Sequence, residues 1–237
     1  MTAAENFDDH KARRNAVILA IAQALYGATL TALVVTSGLV GTQLAPDPSW
    51  ATMPMSMTIV GTALTTFPIS LMMKRIGRRA GFMICAMLGA LGSLLGTYAI
   101  FEKSFGLFLA GALMLGIYQA SASYYRFAAA DLASPQFRPK AISWVMTGGV
   151  AAALFGSLLV MATVDLLAPI TFAGTWVAMA VLALIGAALL MAVDIPYKAE
   201  AKPPAGRPRP EIARQPRYIV AVATGTLAYG IMMLVMT

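Results

Sequence analysis

Three polar side chains interrupt a long apolar stretch in the middle of the sequence, namely Gln119, Ser123 and Arg126. Their spacing of i, i+4 and i+7 places all three on one face of a helix, and Tyr124 and Tyr125 flank that face. An amide, a hydroxyl and a guanidinium on one face can bind a polar small molecule through hydrogen bonds. Exposing such a face to lipid would cost free energy, so we expect it to face other helices or a water-filled cavity.

A second, weaker polar face lies in the first apolar stretch. Gln23 and Tyr26 are three residues apart, which again places them on one side of a helix. Hydrogen bonding between helices is the alternative explanation for such faces, and it typically contributes about 0.6 kcal/mol per contact. We favour that alternative for Thr58, Thr62 and Thr65 in the second stretch. For the other two faces we favour a ligand cavity, because a glutamine deep inside a span cannot reach the membrane surface.

The composition predicts an all-α membrane protein. Charged residues make up 11% of the chain, whereas a soluble domain has about 25%. Six apolar stretches have the length of about 20 residues that crosses a bilayer. They lie at 16–40, 51–73, 80–101, 105–130, 141–167 and 171–193. We predict a tail at 1–15, a six-helix transporter bundle at 16–194, a basic, proline-rich linker at 195–217 and a seventh membrane helix at 218–237.

The 17 lysines and arginines cluster in the gaps between these stretches. All but Lys103 fall in regions that the alternation of spans puts on one side of the membrane: the tail, the second connection, the end of the fourth span with the loop after it, and the linker. Because basic connections stay in the cytoplasm, we predict that this side and the N-terminus are cytoplasmic. The net charge of +7 then sets topology, and we expect no nucleic-acid partner.

Other classes of protein fit the sequence less well. The only histidine, His10, lies in the predicted tail, and no pair of carboxylates lies deep in a span. An intramembrane hydrolase needs a nucleophile and a base inside the bundle, so we predict that the chain is not an enzyme. A seven-helix receptor would have its N-terminus outside. Cys85 is expected to fill space in the core, and we expect no metal ion and no cofactor.

The basic connection at 73–79 contains a recognisable motif. In the major facilitator superfamily, the motif reads glycine, three residues, aspartate, arginine or lysine, any residue, glycine, and two arginines or lysines. The sequence resembles it at Arg75, Gly77, Arg78 and Arg79. Ser70 stands in place of the first glycine, and Lys74 in place of the aspartate. Without that carboxylate, the charge contact that the family makes across its two halves is not predicted here.

A second match to the same family follows the fourth span. The residues with the family's spacing are Asp131, Pro135, Arg138 and Ala141. The longer sequence 124–131 is similar to a bacterial branch that includes riboflavin permeases. The resemblance covers the N-terminal six-helix half of such a transporter and the start of its second half. It implies two inverted three-helix repeats, and a faint echo of glutamine and tyrosine at 23–26 and 118–121 agrees with this.

The resemblance implies a permease of the bacterial inner membrane that moves a small molecule by alternating access. The residues expected to line its substrate cavity are Gln23, Tyr26, Gln119, Ser123, Tyr124, Tyr125 and Arg126. The residues expected to form its gating loop are Lys74, Arg75, Gly77, Arg78, Arg79, Asp131 and Arg138. We also predict that Asp131 pairs with an arginine of the basic connection, and Arg78 is the first candidate.

The seventh apolar stretch continues to the last residue, Thr237. Besides the lipid bilayer and the substrate, we therefore expect one further partner, which is either a missing C-terminal half or a second copy of the chain. The alternative expectation is a truncated fragment of a permease that does not transport.

Overall fold

The computed structural model describes residues 9–131, 133–195 and 215–236. Within them the chain forms eight α-helices, a short 3-10 turn at Pro48–Trp50, and no strand. The helices are α1 (Asp9–Leu44), α2 (Met53–Ile76), α3 (Arg78–Phe101), α4 (Phe105–Ala122), α5 (Tyr125–Asp131), α6 (Arg138–Thr163), α7 (Ala173–Leu190) and α8 (Pro216–Met236). The chain divides into two compact units at residues 1–197 and 198–237. The first contains α1 to α7, and the second contains α8.

Six candidate membrane spans occur in the described residues, and all belong to the first unit. The α1, α3, α6 and α7 helices each supply one span, α2 supplies one together with the 3-10 turn, and α4 and α5 together supply one. Each is apolar and has at least 18 residues, close to the length of about 20 that crosses a bilayer. The predicted all-α membrane bundle is therefore confirmed. The membrane role of α8 stays a prediction, and the linker prediction falls largely on residues 196–214, outside the described part.

Several helix ends differ from the predicted bounds. The α1 helix begins at Asp9, so the described part of the predicted tail is helical. The α2 helix continues to Ile76 and α3 begins at Arg78, so the basic connection shrinks to the single residue Gly77. Hydropathy ends a span at the first charge, whereas lysine and arginine are good helix formers that continue the backbone hydrogen bonding.

The fourth predicted span is not one continuous helix, because it breaks at Ser123 and Tyr124. Ser123 Oγ donates to the carbonyl oxygens of Gln119 at 3.0 Å and Ala120 at 3.1 Å. A serine hydroxyl that bonds the preceding turn tends to bend a helix. The turn also tightens here, since the Tyr124 amide donates to the Ser121 carbonyl three residues back.

The main helix contacts follow a two-fold pattern. The α1 helix packs mostly against α6, α4 packs mostly against α2 and α3, and α3 also packs against α7. In a comparison of the first three spans with the last three, α1 corresponds to α4, α2 to α6 and α3 to α7. The α1–α6 pair is then equivalent to the α4–α2 pair, and the α3–α7 pair is equivalent to itself. This pattern agrees with two three-helix repeats.

Glycines allow a close approach of the helices in both equivalent pairs. Between α2 and α4, a Cβ atom on either Gly61 or Gly116 would collide with the backbone of the opposite helix. Between α1 and α6, a Cβ atom on Gly148 would collide with the backbone of Ala20. Small residues at such crossings are the usual means of tight packing in membranes, where lipid supplies no hydrophobic drive between helices.

Two threonines tie α2 to α4. The hydroxyl of Thr58 donates to the carbonyl oxygen of Ala112 at 3.1 Å, and that of Thr62 donates to Gly116 at 3.0 Å. Thr65 donates to a carbonyl oxygen of its own helix at 2.6 Å. For Thr58 and Thr62, the favoured explanation of hydrogen bonding between helices is confirmed.

Candidate functional site

A cleft of about 210 Å³ opens between α1, the α4–α5 break and α6. The residues that line it are Gln23, Tyr26, Gln119, Ala122, Ser123, Arg126, Val145 and Met146. Five of these are the polar residues that helical spacing placed on the two predicted faces. The faces meet although they lie almost a hundred residues apart in the sequence, so the structure brings the predicted candidates together in one place.

The break in the fourth span shapes this cleft. Gln119 belongs to α4, Ser123 lies in the break and Arg126 belongs to α5, yet all three line the same wall. The Ser123 hydroxyl is committed as a donor to its own helix, so only its lone pairs remain for a ligand. Ser123 and Arg126 are exposed, and Gln119 is half-buried. The polar groups therefore extend from the rim of the cleft into its wall.

Tyr26 is held in place by a tyrosine behind it. Its ring packs edge-on against Tyr118, with 5.2 Å between the ring centroids. Tyr118 is fully buried, and it fits there because a Cβ atom on Gly89 would lie only 2.6 Å from its ring. Edge-to-face aromatic pairs of this kind contribute about 0.5–1.5 kcal/mol beyond their buried area. The buried pair thus orients the one aromatic ring that lines the cleft.

One polar atom of Gln119 lacks a hydrogen-bond partner in the part of the chain that the structure describes. Its Oε1 is buried, and no donor within the described residues hydrogen-bonds to it. Most buried polar atoms in proteins have a partner, and leaving one unpaired costs about 1–3 kcal/mol. The wall of the cleft therefore contains a buried acceptor whose hydrogen-bonding capacity is unused.

Arg126 supplies the only charge among the lining residues. Its guanidinium lies over the Phe127 ring, 4.9 Å from the centroid, and no carboxylate of the described residues forms an ion pair with it. A cation over an aromatic face is weakly stabilised and keeps its hydrogen-bond donors available. No acidic side chain lines the cleft, so its local charge is positive.

The two flanking tyrosines lie elsewhere. Tyr125 is fully buried, with its ring edge-on to Phe82 at 4.9 Å between centroids. The hydroxyl of Tyr124 donates to the carbonyl oxygen of Thr66 in α2 at 3.2 Å. Neither tyrosine contributes to the lining of this cleft. The structure gives both of them packing contacts on the other sides of the fourth span.

Sequence reasoning missed the third wall of the cleft. Val145 and Met146 of α6 line it, and Ala122 adds a small residue from α4. The polar residues beside them, Ser143 and Thr147, donate to carbonyl oxygens of their own helix and do not line the cleft, so the sequence holds no local signal for this wall. The glycine at 148 marks a close crossing instead, because its lack of a side chain lets α6 approach α1.

Gly77 is the whole connection between α2 and α3. Its φ of 88° and ψ of 155° lie in a region that is essentially restricted to glycine. Lys74 and Arg75 occupy the last turn of α2, where cations interact favourably with the unpaired carbonyl groups of the helix end. This gives Lys74 a physical reason to stand where the family motif has aspartate.

Asp131 at the end of α5 forms an ion pair with Arg78 at the start of α3. The predicted pairing between these two residues is confirmed. Both side chains are partly exposed, at 50% and 36% respectively, so the pair is of the weakly stabilising kind. Arg138 donates through Nε to the carbonyl oxygen of Ala133 at 3.1 Å, while Arg79 is exposed in the first turn of α3.

The start of α1 ties down two further segments at the same end of the bundle. The carboxylate of Asp9 accepts from the amide of Ser134 at 3.1 Å and from its hydroxyl at 3.0 Å. The side chain of Asn15, which is 1% exposed, donates to the carbonyl oxygen of Asp194 at 2.9 Å and accepts from its amide at 3.1 Å. We use the name cation-rich end for the end of the bundle that contains Asp9, Asn15 and the Arg78–Asp131 pair. Sequence reasoning did not single out Asp9 or Asn15.

Comparison with known proteins places the chain in a family. The sequence profile of the Major Facilitator Superfamily matches residues 19–237. The chain is 41% identical over 234 residues to the riboflavin transporter RfnT of Brucella anthropi, a match that covers 97% of this chain and 58% of that protein. It is 28% identical over 148 residues to the uncharacterized MFS-type transporter YdeG of Bacillus subtilis, covering 62% of this chain and 34% of YdeG.

The chain spans only part of the length of these relatives. No solved structure matches it. The match to the family profile extends over nearly the whole sequence, and the described residues contain the six spans expected of one transporter half. The chain belongs to the Major Facilitator Superfamily.

Proposed function

We propose that the chain is part of a permease that moves a small molecule across the membrane by alternating access, and that the cleft is one wall of its substrate cavity. The observation that carries this proposal is the meeting of five polar side chains from α1, α4, the α4–α5 break and α5 in one cleft of an otherwise apolar bundle. Polar groups inside a membrane bundle usually mark the pathway of a polar substrate. Family membership supports the same reading.

Riboflavin is the substrate that we propose to test first. The relative RfnT is named as a riboflavin transporter, and its identity of 41% extends over nearly all of this chain. Riboflavin presents carbonyl groups and an N–H on its ring system and hydroxyls on its sugar-derived chain. The amides, hydroxyls and guanidinium of the cleft can bind such groups, while Val145 and Met146 can contact the ring.

The opposite wall of the cavity is supplied either by residues beyond this sequence or by a second copy of the chain. The greater length of the relatives supports the first possibility. Permeases of this family work by rocking two halves about a site near the bilayer midplane. A fragment that does not transport by itself is the competing proposal, and it rests on the same difference in length.

We propose that the cation-rich end faces the cytoplasm of a bacterial cell and that the protein lies in the inner membrane. Contacts of Arg78 with Asp131 and of Asp9 with Ser134 bring three cation-bearing regions to one end of the bundle. Basic connections are retained on the cytoplasmic side during insertion. In this proposal the Arg78–Asp131 pair and the basic connection act as a gate that holds α3 and α5 together in one conformation.

Uptake of labelled riboflavin tests the proposed function. The complete gene is expressed in a bacterial riboflavin auxotroph that has no importer of its own, and cells with this gene are expected to accumulate riboflavin above the empty-vector level. Arg126→Gln is expected to raise the KM about tenfold, because a hydrogen bond to a charged group contributes about 1.5–3 kcal/mol. Lys140→Gln, a change of the same type at an exposed position, is the matched control.

Two results would contradict parts of this proposal. Absence of riboflavin uptake at normal expression would remove riboflavin as the substrate. An unchanged KM for Arg126→Gln, with riboflavin still transported, would remove Arg126 from the site. Expression of residues 1–237 alone, alongside the complete gene, separates a half that transports from a fragment that does not.

A further inference from the structure

We propose that Gln119 is the specificity-determining residue of the cleft, and that its carboxamide oxygen accepts a hydrogen bond from a ring N–H of the substrate. This inference rests on the proposed transport of riboflavin and makes it more specific. The substrate class is a neutral or anionic heterocycle with an imide edge, that is, an N–H between two carbonyl groups. Riboflavin has one such edge.

The first support is the unused acceptor. Gln119 lines the cleft, and its Oε1 is buried without a hydrogen-bond donor among the described residues. The hydroxyl of Ser123, on the same wall, already donates to the carbonyl oxygens of Gln119 and Ala120. The protein therefore leaves this oxygen unsatisfied, and a donor from the substrate is the group that would satisfy it.

The second support is the ease with which this oxygen can turn toward a ligand. The terminal torsion of a glutamine side chain is soft and has broad minima. Because Oε1 has no partner to lose, rotation into the cleft breaks no hydrogen bond to that atom. This rotation exchanges Oε1 with Nε2, so the oxygen reaches the cleft, where a donor of the substrate gives it the hydrogen bond that it lacks in the empty protein.

The third support is the charge of the cleft, which limits the class of substrate. No carboxylate lines it, and Arg126 stands seven residues along the same wall. Seven residues of helix correspond to about 10 Å, although the α4–α5 break alters this spacing. On this wall a cationic ligand would meet the guanidinium without a compensating acid, whereas a molecule with acceptors at one end and an imide N–H at the other matches both groups.

Binding of riboflavin and of N3-methylriboflavin to the purified product of the complete gene tests this inference. Methylation replaces the imide hydrogen and leaves the ring and the sugar-derived chain intact. The wild-type protein is expected to bind riboflavin about tenfold more tightly than the methylated analogue, the upper range for one hydrogen bond. Gln119→Met, an unbranched side chain of similar length, is expected to bind both ligands alike and riboflavin about tenfold more weakly.

Two further variants keep the test decisive. Gln119→Asn retains the amide but withdraws it by one methylene group, so it is expected to lose the preference for riboflavin over the analogue even if the Met variant fails to fold. Gln43→Met makes the same change at an exposed position outside the cleft, and it is expected to behave as the wild type does.

The outcomes separate this inference from the proposed function. If the wild type binds riboflavin but methylation changes the affinity equally in the wild type and in both Gln119 variants, Gln119 does not hydrogen-bond to the imide N–H. The transport proposal would then still stand. If the wild type does not bind riboflavin at all, the riboflavin assignment and this inference both fail. A preference that is present in wild type and Gln43→Met but lost in the Gln119 variants establishes the role.

Discussion

At the cation-rich end of the bundle, polar side chains from distant parts of the chain have partners. Asn15 pairs with both backbone groups of Asp194, and Asp131 pairs with Arg78. In the cleft, by contrast, the Gln119 Oε1 has no donor, and Arg126 has no carboxylate partner among the described residues.

This difference separates two uses of polarity in one bundle. Paired groups stabilise a conformation, because each hydrogen bond contributes about 0.5–1.5 kcal/mol. Unpaired groups destabilise the empty protein slightly and become favourable only when a ligand supplies the partner. Mutations at the cation-rich end should therefore act on stability, whereas mutations in the cleft should act on ligand affinity.

The largest effect is expected for Asn15→Leu. The substitution removes both hydrogen bonds to Asp194 at a site that is 1% exposed, so the free energy of unfolding should fall by about 2 kcal/mol. Thermal unfolding of the purified protein in detergent measures this. Thr42→Val, which removes only a local bond to the Leu39 carbonyl oxygen at the exposed opposite end of α1, serves as the control. Equal unfolding temperatures for the two variants would show that the Asn15 contact does not stabilise the bundle.

A smaller effect is expected for charge reversal of the ion pair. Arg78→Asp or Asp131→Arg alone should destabilise the protein by about 1 kcal/mol or less, because the pair is partly exposed. The double reversal should restore both stability and transport rate, since it recreates the pair in the opposite sense. A double-mutant cycle on unfolding temperature and initial uptake rate measures the coupling. A double mutant that is no better than the worse single mutant would remove this pair from the proposed gate.

The smallest effect on stability is expected for Gln119→Met in the absence of substrate. Because the substitution removes a buried acceptor that has no partner, the unfolding temperature should stay the same or rise slightly. Added riboflavin should then stabilise the wild type more than the variant, by the linkage between binding and folding. A clear loss of stability in the empty variant would mean that Gln119 has a structural partner and that the cleft does not differ from the cation-rich end in this way.

Much of the fold follows from local sequence properties. A membrane span needs an apolar stretch of about 20 residues, and this requirement identified all six spans because it depends only on neighbouring residues. Helical spacing likewise identified the two polar faces, since side-chain direction along a helix is set by the backbone period. The pairing of Asp131 with Arg78 followed from placing both at the same membrane surface.

Other features depend on contacts between residues that are remote in sequence. The apolar α6 wall of the cleft has no local signature, because Val145 and Met146 resemble any other lipid-facing or core residues until α6 is placed against α1. The extension of α1 back to Asp9 is tied to Ser134, which lies 125 residues away. Tyr124 and Tyr125 flank the polar face in sequence, yet packing against α2 and α3 takes both away from the cleft.

The sequence by itself determined the membrane class, the six spans and the polar candidates, because each of these depends on local composition or helical period. Only the tertiary structure decided which polar groups meet, which of them are paired, and where the fourth span breaks. These properties depend on how closely the helices cross, and the close approach at glycines such as Gly116 and Gly148 is decided by packing between helices rather than by either helix alone.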